Sequence, residues 1–280
     1  MGDAVRWDSG AAPRVVACMP TWNAESFVER TLESLGAQTY PNLHILISDD
    51  ASTDRTREIC TRFAASHPRC RFLQQEVRRG WAGNVTNLIG VAEGDFFFFA
   101  FHDDPLQPSY VSRLIEALMA NPRAVLAFTD VAVGPHTRSY LELEGVGGRV
   151  ERATRLIWKK GDWWIPNRGL FRATAGKRIG GVRRHLGGEY SADWPWLLHL
   201  ALLGEFVRVP EPLVRKEWRR DGVSYSWRGT LRQKFGVSLS CMREVRRAGL
   251  ALSEELAIHK EIVAHGLSAL RTSARESARQ

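Results

Sequence analysis

Short apolar runs alternate with helical repeats along the first half of the chain, the pattern of a mostly parallel sheet covered by helices on both faces. Val15 to Met19 reads as the first strand, Phe27, Thr31, Leu32 and Leu35 as one face of a helix, and Leu43 to Ile47 as the second strand. A second helix starts near Asp54, a good N-cap, with Ile59 and Phe63 inward, and a third strand covers Arg71 to Gln74. The next helix runs from about Gly83 to Glu93 and leads into Phe96 to Phe101. The unbroken apolarity of that run predicts a strand buried on both faces at the sheet centre. A helix from Ser109 carries Val111, Leu114, Ile115 and Leu118 inward, stops at Asn121-Pro122, and gives way to the strand Ala124 to Thr129.

After Asp130 the rhythm breaks. A Gly-rich, basic segment extends to about Gly161, followed by Trp163 to Phe171 and turns at Gly180-Gly181 and Gly187-Gly188. A helix from about Ala192 to Leu203 closes at Gly204. Further on, Leu252, Leu256, Val263, Leu267 and Leu270 recur at helical spacing. That stripe is expected to pack on the domain, with a membrane surface or a partner as the alternative. Three stretches result: 1–130, 131–228 and a helical extension over 229–280.

Composition adds limits. Apolar and charged fractions of 44% and 25% in 280 residues are those of a soluble globular chain. The longest purely apolar run is Phe96 to Phe101, far short of the roughly 20 residues that span a bilayer. The polar start at Met1 lacks a signal peptide's apolar stretch, so a cytoplasmic location is expected, with peripheral contact at the inner membrane face as a variant. Cys18, Cys60, Cys70 and Cys241 show no CxxC spacing and sit among apolar neighbours, which favours buried thiols. The net charge of +8 is concentrated between Arg138 and Arg184, where 12 Lys/Arg face 4 Asp/Glu. Such a surface suits diphosphates, anionic acceptors or acidic headgroups. Nucleic acid is not expected, because no recognised motif accompanies the charge.

In open α/β sheets ligands bind beyond the carboxyl ends of the strands. Those ends carry Pro20-Thr-Trp-Asn23, Ser48-Asp-Asp-Ala-Ser-Thr-Asp54 and His102-Asp-Asp104. Trp22 offers a face for a base, and Asp50 can accept the imide N–H of uracil or thymine. Asp103 and Asp104 suit Mn2+ or Mg2+, which bind through one or two carboxylates plus substrate phosphates. Taken singly, the acidic pairs also fit turns and helix caps, Trp22 fits packing, and His102 fits a structural hydrogen bond as well as a metal ligand.

Taken together, the clusters resemble the family-2 glycosyltransferases of the GT-A fold, an α/β fold whose mostly parallel sheet is flanked by helices and followed by an acceptor-binding half. The motifs that carry the resemblance are Pro20-Thr-Trp-Asn-Ala-Glu-Ser-Phe27, Leu35-Gly-Ala-Gln-Thr-Tyr-Pro41, Asp49-Asp-Ala-Ser-Thr-Asp54, and Ala92-Glu-Gly-Asp95 before an apolar strand and an acidic pair. It covers about residues 13 to 215. It implies a nucleotide-sugar half (1–130) and an acceptor-binding, catalytic half (131–228), acting by metal-dependent, inverting transfer of one sugar from UDP-sugar, or dTDP-sugar, to a carbohydrate, glycoside or lipid-linked acceptor.

Residue by residue, the resemblance puts Pro20 and Trp22 in the base pocket and Asp50 on the base, with Asn23 also among the nucleotide-binding residues. It puts Asp103 near ribose and metal, and Asp104 on the metal. Arg78 and Arg79 are candidates for meeting the phosphates. Asn167-Arg-Gly-Leu-Phe-Arg172, then Gly180-Gly181, then Asp193 resembles the acceptor region, with Asp193 as the catalytic base and Glu189 as runner-up. Trp163, Trp164, Arg168, Glu189 and Trp194 are acceptor-binding candidates, and Trp196 lies in the same region. Arg219 and Arg220 belong to a loop that would close over the diphosphate, although the His that often joins the metal there is missing. The usual acidic-x-acidic triplet is His102-Asp103-Asp104, which leaves open the principal ligand. A sugar nucleotidyltransferase and an inactive GT-A-like binding or partner subunit are the rivals.

Overall fold

The structure, a computed structural model, describes residues 12–158, 162–217 and 229–277, with side chains as far as Ser268. Val15–Thr21 (β1) pairs in parallel with Leu43–Asp49 (β2), which in turn pairs with Cys70–Gln74 (β3). On its other side β1 pairs with Phe96–Phe99 (β4), whose four phenylalanines are all buried, as a two-sided apolar strand must be. The connecting helices are Val28–Gly36 (α1), Thr56–Ser66 (α2), Gly80–Val91 (α3) and Tyr110–Ala120 (α4). α1 and α4 bury the faces that the sequence repeat marks, for example Thr31, Leu32 and Leu35 of α1, whereas on α2 Ile59 is buried and Phe63 only partly so. The Asp54 carboxylate accepts from the backbone N–H groups of Thr56 (3.0 Å) and Glu25 (3.1 Å), so it both starts α2 and ties down the preceding loop.

Beyond β4 the sheet departs from a simple run of crossovers. Ala124–Val133 (β5) does not pair with β4; Leu170–Arg172 (β7) lies between them, antiparallel to both. β5 continues into a hairpin with His136–Arg138 (β6) and also pairs in parallel with Glu205–Lys216 (β8). The sheet order is β3-β2-β1-β4-β7-β5-β6, with β8 on β5. Neither β7 nor β8 stands out in the sequence: β7 has three residues, and β8 contains Pro210 and Pro212, which suit a strand only at an edge or bulge. The register does slip there, where Asp130 meets Pro212.

The remaining helices are Arg149–Trp158 (α5), Ala173–Ile179 (α6), Asp193–Leu203 (α7), Leu231–Arg247 (α8) and Leu252–Ser277 (α9). α7 is enclosed on nearly all sides, and its Trp196 packs against Phe99 (5.3 Å between centroids) and Phe171 (5.0 Å), which makes this tryptophan core. α8 and α9 form a C-terminal hairpin. The leucine stripe of α9 faces outward, contrary to expectation: Leu252, Leu256, Val263 and Leu267 are exposed while Ile258 and Ile262 pack inward. Leu270 lies outside the described side chains.

The basic stretch is also less of a surface than its composition suggests. Buried Arg152 donates to the carbonyls of Ala201 and Val146, Arg172 to those of Ala124 and Leu118, and Arg183 to Glu244. The four cysteines are free thiols; burial pushes Cys18, Cys60 and Cys70 up to about 12. Among the described residues no helix is long and apolar enough to cross a membrane.

Candidate active site

The loops after β1 and β2 brace each other. Asn23, at φ +45°, accepts through its side-chain oxygen from the Thr53 N–H (2.9 Å), and its own N–H donates to Ser52 Oγ (2.9 Å). Asp49 accepts from the Ser52 N–H (3.0 Å) and from Thr21 Oγ1 (3.3 Å). The Asn23 side-chain oxygen, expected to face a nucleotide, therefore holds the loop that follows β2. The Pro20 carbonyl accepts from His102 Nδ1 (2.9 Å), and the His102 ring stacks on Phe27, which fixes this histidine as a structural bridge. Trp22 remains half-buried with the Arg78 guanidinium 3.4 Å above its ring centre.

The start of α3 is capped from two distant places. Asp50 accepts from the N–H groups of Arg79 (2.6 Å) and Gly80 (2.8 Å), and Glu189 accepts from those of Trp81 (3.2 Å) and Ala82 (3.0 Å). All four otherwise orphaned donors of the first turn are satisfied by carboxylates. Gly80 is required there: its φ is +76°, and a Cβ would fall 2.4 Å from Glu189 Oε1. Glu189, expected at the acceptor, thus has a helix-capping position because both of its oxygens are engaged. Each Asp50 oxygen keeps a second lone pair for another donor.

The acidic pair after β4 splits in two. Asp104 is 2% exposed, with Arg168 Nε 2.6 Å from one oxygen and Lys216 Nζ 3.3 Å from the other. Arg168 is itself held between the rings of Phe101 (4.7 Å) and Trp164 (4.8 Å) and donates to the Trp164 carbonyl. A carboxylate this deep needs paired charge, so Asp104 faces protein cations where the sequence suggested a metal ligand, and Arg168 serves Asp104 where an acceptor contact was expected. Asp103 is only partly buried, and among the described residues no ion pair reaches it. Burial would raise its pKa, but Lys216, His102 and Arg168 outweigh that and hold it below the usual carboxylate range. Among the described residues no cluster of three metal-ligating side chains occurs. A single ionised carboxylate fits a hard cation that takes its other ligands from phosphates and water.

In the second half of the chain Asp193 opens α7, and Asn167 Nδ2 donates to its Oδ2 at 2.7 Å. Burial pushes the Asp193 carboxyl up to about 6. Trp194 stacks on Trp163 (5.7 Å, 23° between planes) and is T-shaped to His265 of α9 at 5.5 Å. One short turn, Pro166–Arg168, connects the two sides of the site: Asn167 holds Asp193 while Arg168 holds Asp104. Asn167 lies within a sequence motif without being an individual candidate there, and His265 carries no local signal in the sequence. Arg219 and Arg220 lie outside the described residues.

Known proteins share both this sequence pattern and this sheet. The family model described as Glycosyl transferase family 2 matches residues 16–174. An uncharacterized protein of Sinorhizobium fredii, y4gI, is 26% identical over 224 residues, 78% of this chain but 23% of its own length. The GalNAc(5)-diNAcBac-PP-undecaprenol beta-1,3-glucosyltransferase of Campylobacter jejuni is 30% identical over 105 residues, 37% of this chain and 34% of that one. The chain thus spans about a quarter to a third of the length of these two relatives. Among solved structures, S. aureus TarS 1-349 in complex with UDP-GlcNAc superposes with a TM-score of 0.73 at 16% identity, covering 91% of this chain and 73% of that one. The mannosyltransferase PcManGT of Pyrobaculum calidifontis, in complex with GDP-Man and Mn2+, gives 0.60 at 18% identity, covering 97% and 78%. The sheet with its rim of polar clusters is the GT-A fold, and the chain belongs to glycosyl transferase family 2.

Proposed function

We propose that the protein moves one sugar from a nucleoside diphosphate sugar, UDP-linked in the first instance, to an acceptor hydroxyl, inverting the anomeric centre. The observation that carries this reading is the Pro166–Arg168 turn, which holds a carboxyl pushed up to about 6 (Asp193) beside an acidic pair of which one member, Asp103, meets no ion-pair partner among the described residues. TarS binds UDP-GlcNAc, PcManGT binds GDP-Man with Mn2+, and the Campylobacter relative acts on an undecaprenol-linked glycan, which supports the donor class and admits a lipid-linked acceptor. Residues 1–130 would hold the donor and 131–228 the acceptor.

In this reading the base stacks on Trp22, displacing the Arg78 guanidinium, which is then free to meet the diphosphate. Asp50 uses its remaining lone pairs on the imide while staying fixed by α3. Pro20 lines the base pocket. Asp103 would hold a divalent cation, which supplies charge neutralisation for the departing diphosphate. Trp163 and Trp194 offer faces for the acceptor sugar. Asp193, oriented by Asn167, takes the proton from the acceptor hydroxyl as its oxygen attacks the anomeric carbon. A pKa near 6 suits a base that must be ionised at pH 7 yet strong enough to accept a proton.

The test is to incubate the purified protein with manganese and a panel of nucleotide sugars, following release of the nucleoside diphosphate with and without simple acceptors. Release from a UDP-sugar that disappears in excess chelator is expected. Release from none of the panel would favour an inactive binding subunit.

A further inference from the structure

The outward faces of the C-terminal hairpin combine large apolar side chains with cations and, among the described side chains, exclude acids. The two helices run antiparallel, with His259 Nε2 3.2 Å from the Met242 carbonyl and Gly266 opposite Ser238. On α8, Leu231, Phe235 and Leu239 are 56%, 58% and 43% exposed. Arg232, Arg243 and Arg246 are exposed on the same helix, and at 3.6 residues per turn all six fall within an arc of about 120°. On α9, Leu252, Leu256, Val263 and Leu267 are 71%, 58%, 47% and 52% exposed, and Lys260 shares their arc of about 80°.

Among the described side chains, the acids of both helices point elsewhere. Glu244 of α8 is buried against His199 and Arg183. Glu254 of α9 pairs with Arg149, Glu261 accepts from Trp158 Nε1, and Glu255 lies beside His259. Among the described residues no ion pair reaches Arg232, Arg243, Arg246 or Lys260.

We propose that this face docks on an anionic lipid surface. Apolar side chains interleaved with unpaired cations match the boundary between acyl chains and acidic headgroups, where Phe235 and the leucines enter the apolar layer and the arginines extend to the phosphates. A second copy of the chain matches poorly, since a two-fold contact would set arginine against arginine with no acid to relieve the repulsion. The docked face lies on the back of the helix whose inner side carries His265 against Trp194, so docking would bring the Asp193 end of α7 close to the lipid surface. The docking itself does not depend on the transfer reaction.

Co-sedimentation of the full chain with vesicles tests it. Phosphatidylcholine vesicles containing phosphatidylglycerol should retain roughly tenfold more protein than phosphatidylcholine alone, and high salt should reverse the difference. A Phe235→Glu/Leu256→Glu variant and an Arg243→Glu/Arg246→Glu variant should each abolish most of that retention, with an unchanged circular dichroism spectrum showing that they fold. Equal retention on both vesicle types, retention on neither, or retention unaffected by folded variants would overturn the proposal. So would a solution dimer that the Phe235→Glu/Leu256→Glu variant converts to a monomer, since the face would then belong to a second copy.

Discussion

Asp193 is placed where burial and a helix start act on it in opposite senses, and burial prevails. Two outcomes follow for one substitution. Asp193→Asn keeps the Asn167 neighbour and removes the basicity, so turnover should fall roughly 10²–10⁴-fold with nucleotide affinity intact, read by steady-state kinetics beside calorimetry. In the unsubstituted protein kcat/KM should rise with pH through about 6 and then level off. The same shift acts on stability in the other direction. A folded-state pKa of about 6 above the ordinary 3.8 means the folded chain holds this proton more tightly; the benefit is present at acid pH and lost as pH rises through 6. Asp193→Asn should therefore raise Tm at pH 7 and leave it near the parent value at pH 4. Arg78 makes a second case. If the base takes its place over Trp22 and the guanidinium moves to the phosphates, Trp22→Ala should weaken UDP by about 1–3 kcal/mol. Arg78→Ala should weaken UDP but not uridine, which lacks phosphates; equal losses for both ligands would place Arg78 on the base side alone.

At the scale of elements, the turn after β4 decides which of two adjacent carboxylates is available. Asp104 is bound by Arg168 and Lys216, so Asp104→Asn removes the carboxylate charge that pairs with buried Arg168 and should cost roughly 3–5 kcal/mol by denaturant unfolding. Asp103→Asn should leave unfolding nearly unchanged and abolish the manganese dependence of UDP binding; the reverse pattern would return the metal to Asp104. The sequence brings one to this rim but not to this choice. Parallel strands must end on a common edge, so the clusters after β1, β2 and β4 were legible from periodicity alone. Nothing local says which of two neighbouring aspartates turns inward, because the cations that hold Asp104 sit 64 and 112 residues further along the chain. The capping position of Glu189 is hidden from the local sequence for the same reason: its partners are the N–H groups of a helix more than 100 residues earlier. The α9 stripe shows a different failure, since helical spacing marks a face without saying whether that face is inside.

For the whole molecule, a buried charge cluster joins α7 to the C-terminal hairpin. Glu244 of α8 receives His199 of α7 at 2.8 Å and Arg183 at 3.0 Å, with Arg247 at 3.4 Å. Burial would raise the Glu244 pKa, but the His199 hydrogen bond and the two arginines outweigh it and hold it below the ordinary 4.5. That stabilisation is present above pH 4.5 and lost as pH falls through the lower folded value. Tm should accordingly drop on acidification below this point, and Glu244→Gln should lower Tm at pH 7 and flatten the acid limb; an unchanged limb would move the effect to other carboxylates. The sheet joins the halves more firmly still, through β7. When a ribosome has released the chain only as far as β5, the strand that belongs beside Phe96–Phe99 has not yet been made. Until Leu170–Arg172 emerges, four consecutive phenylalanines border an open edge with unpaired backbone groups, the kind of segment that templates aggregation. Slow translation or a stop between residues 134 and 169 would therefore leave a nascent chain dependent on chaperones, whereas completion of those three residues closes the gap.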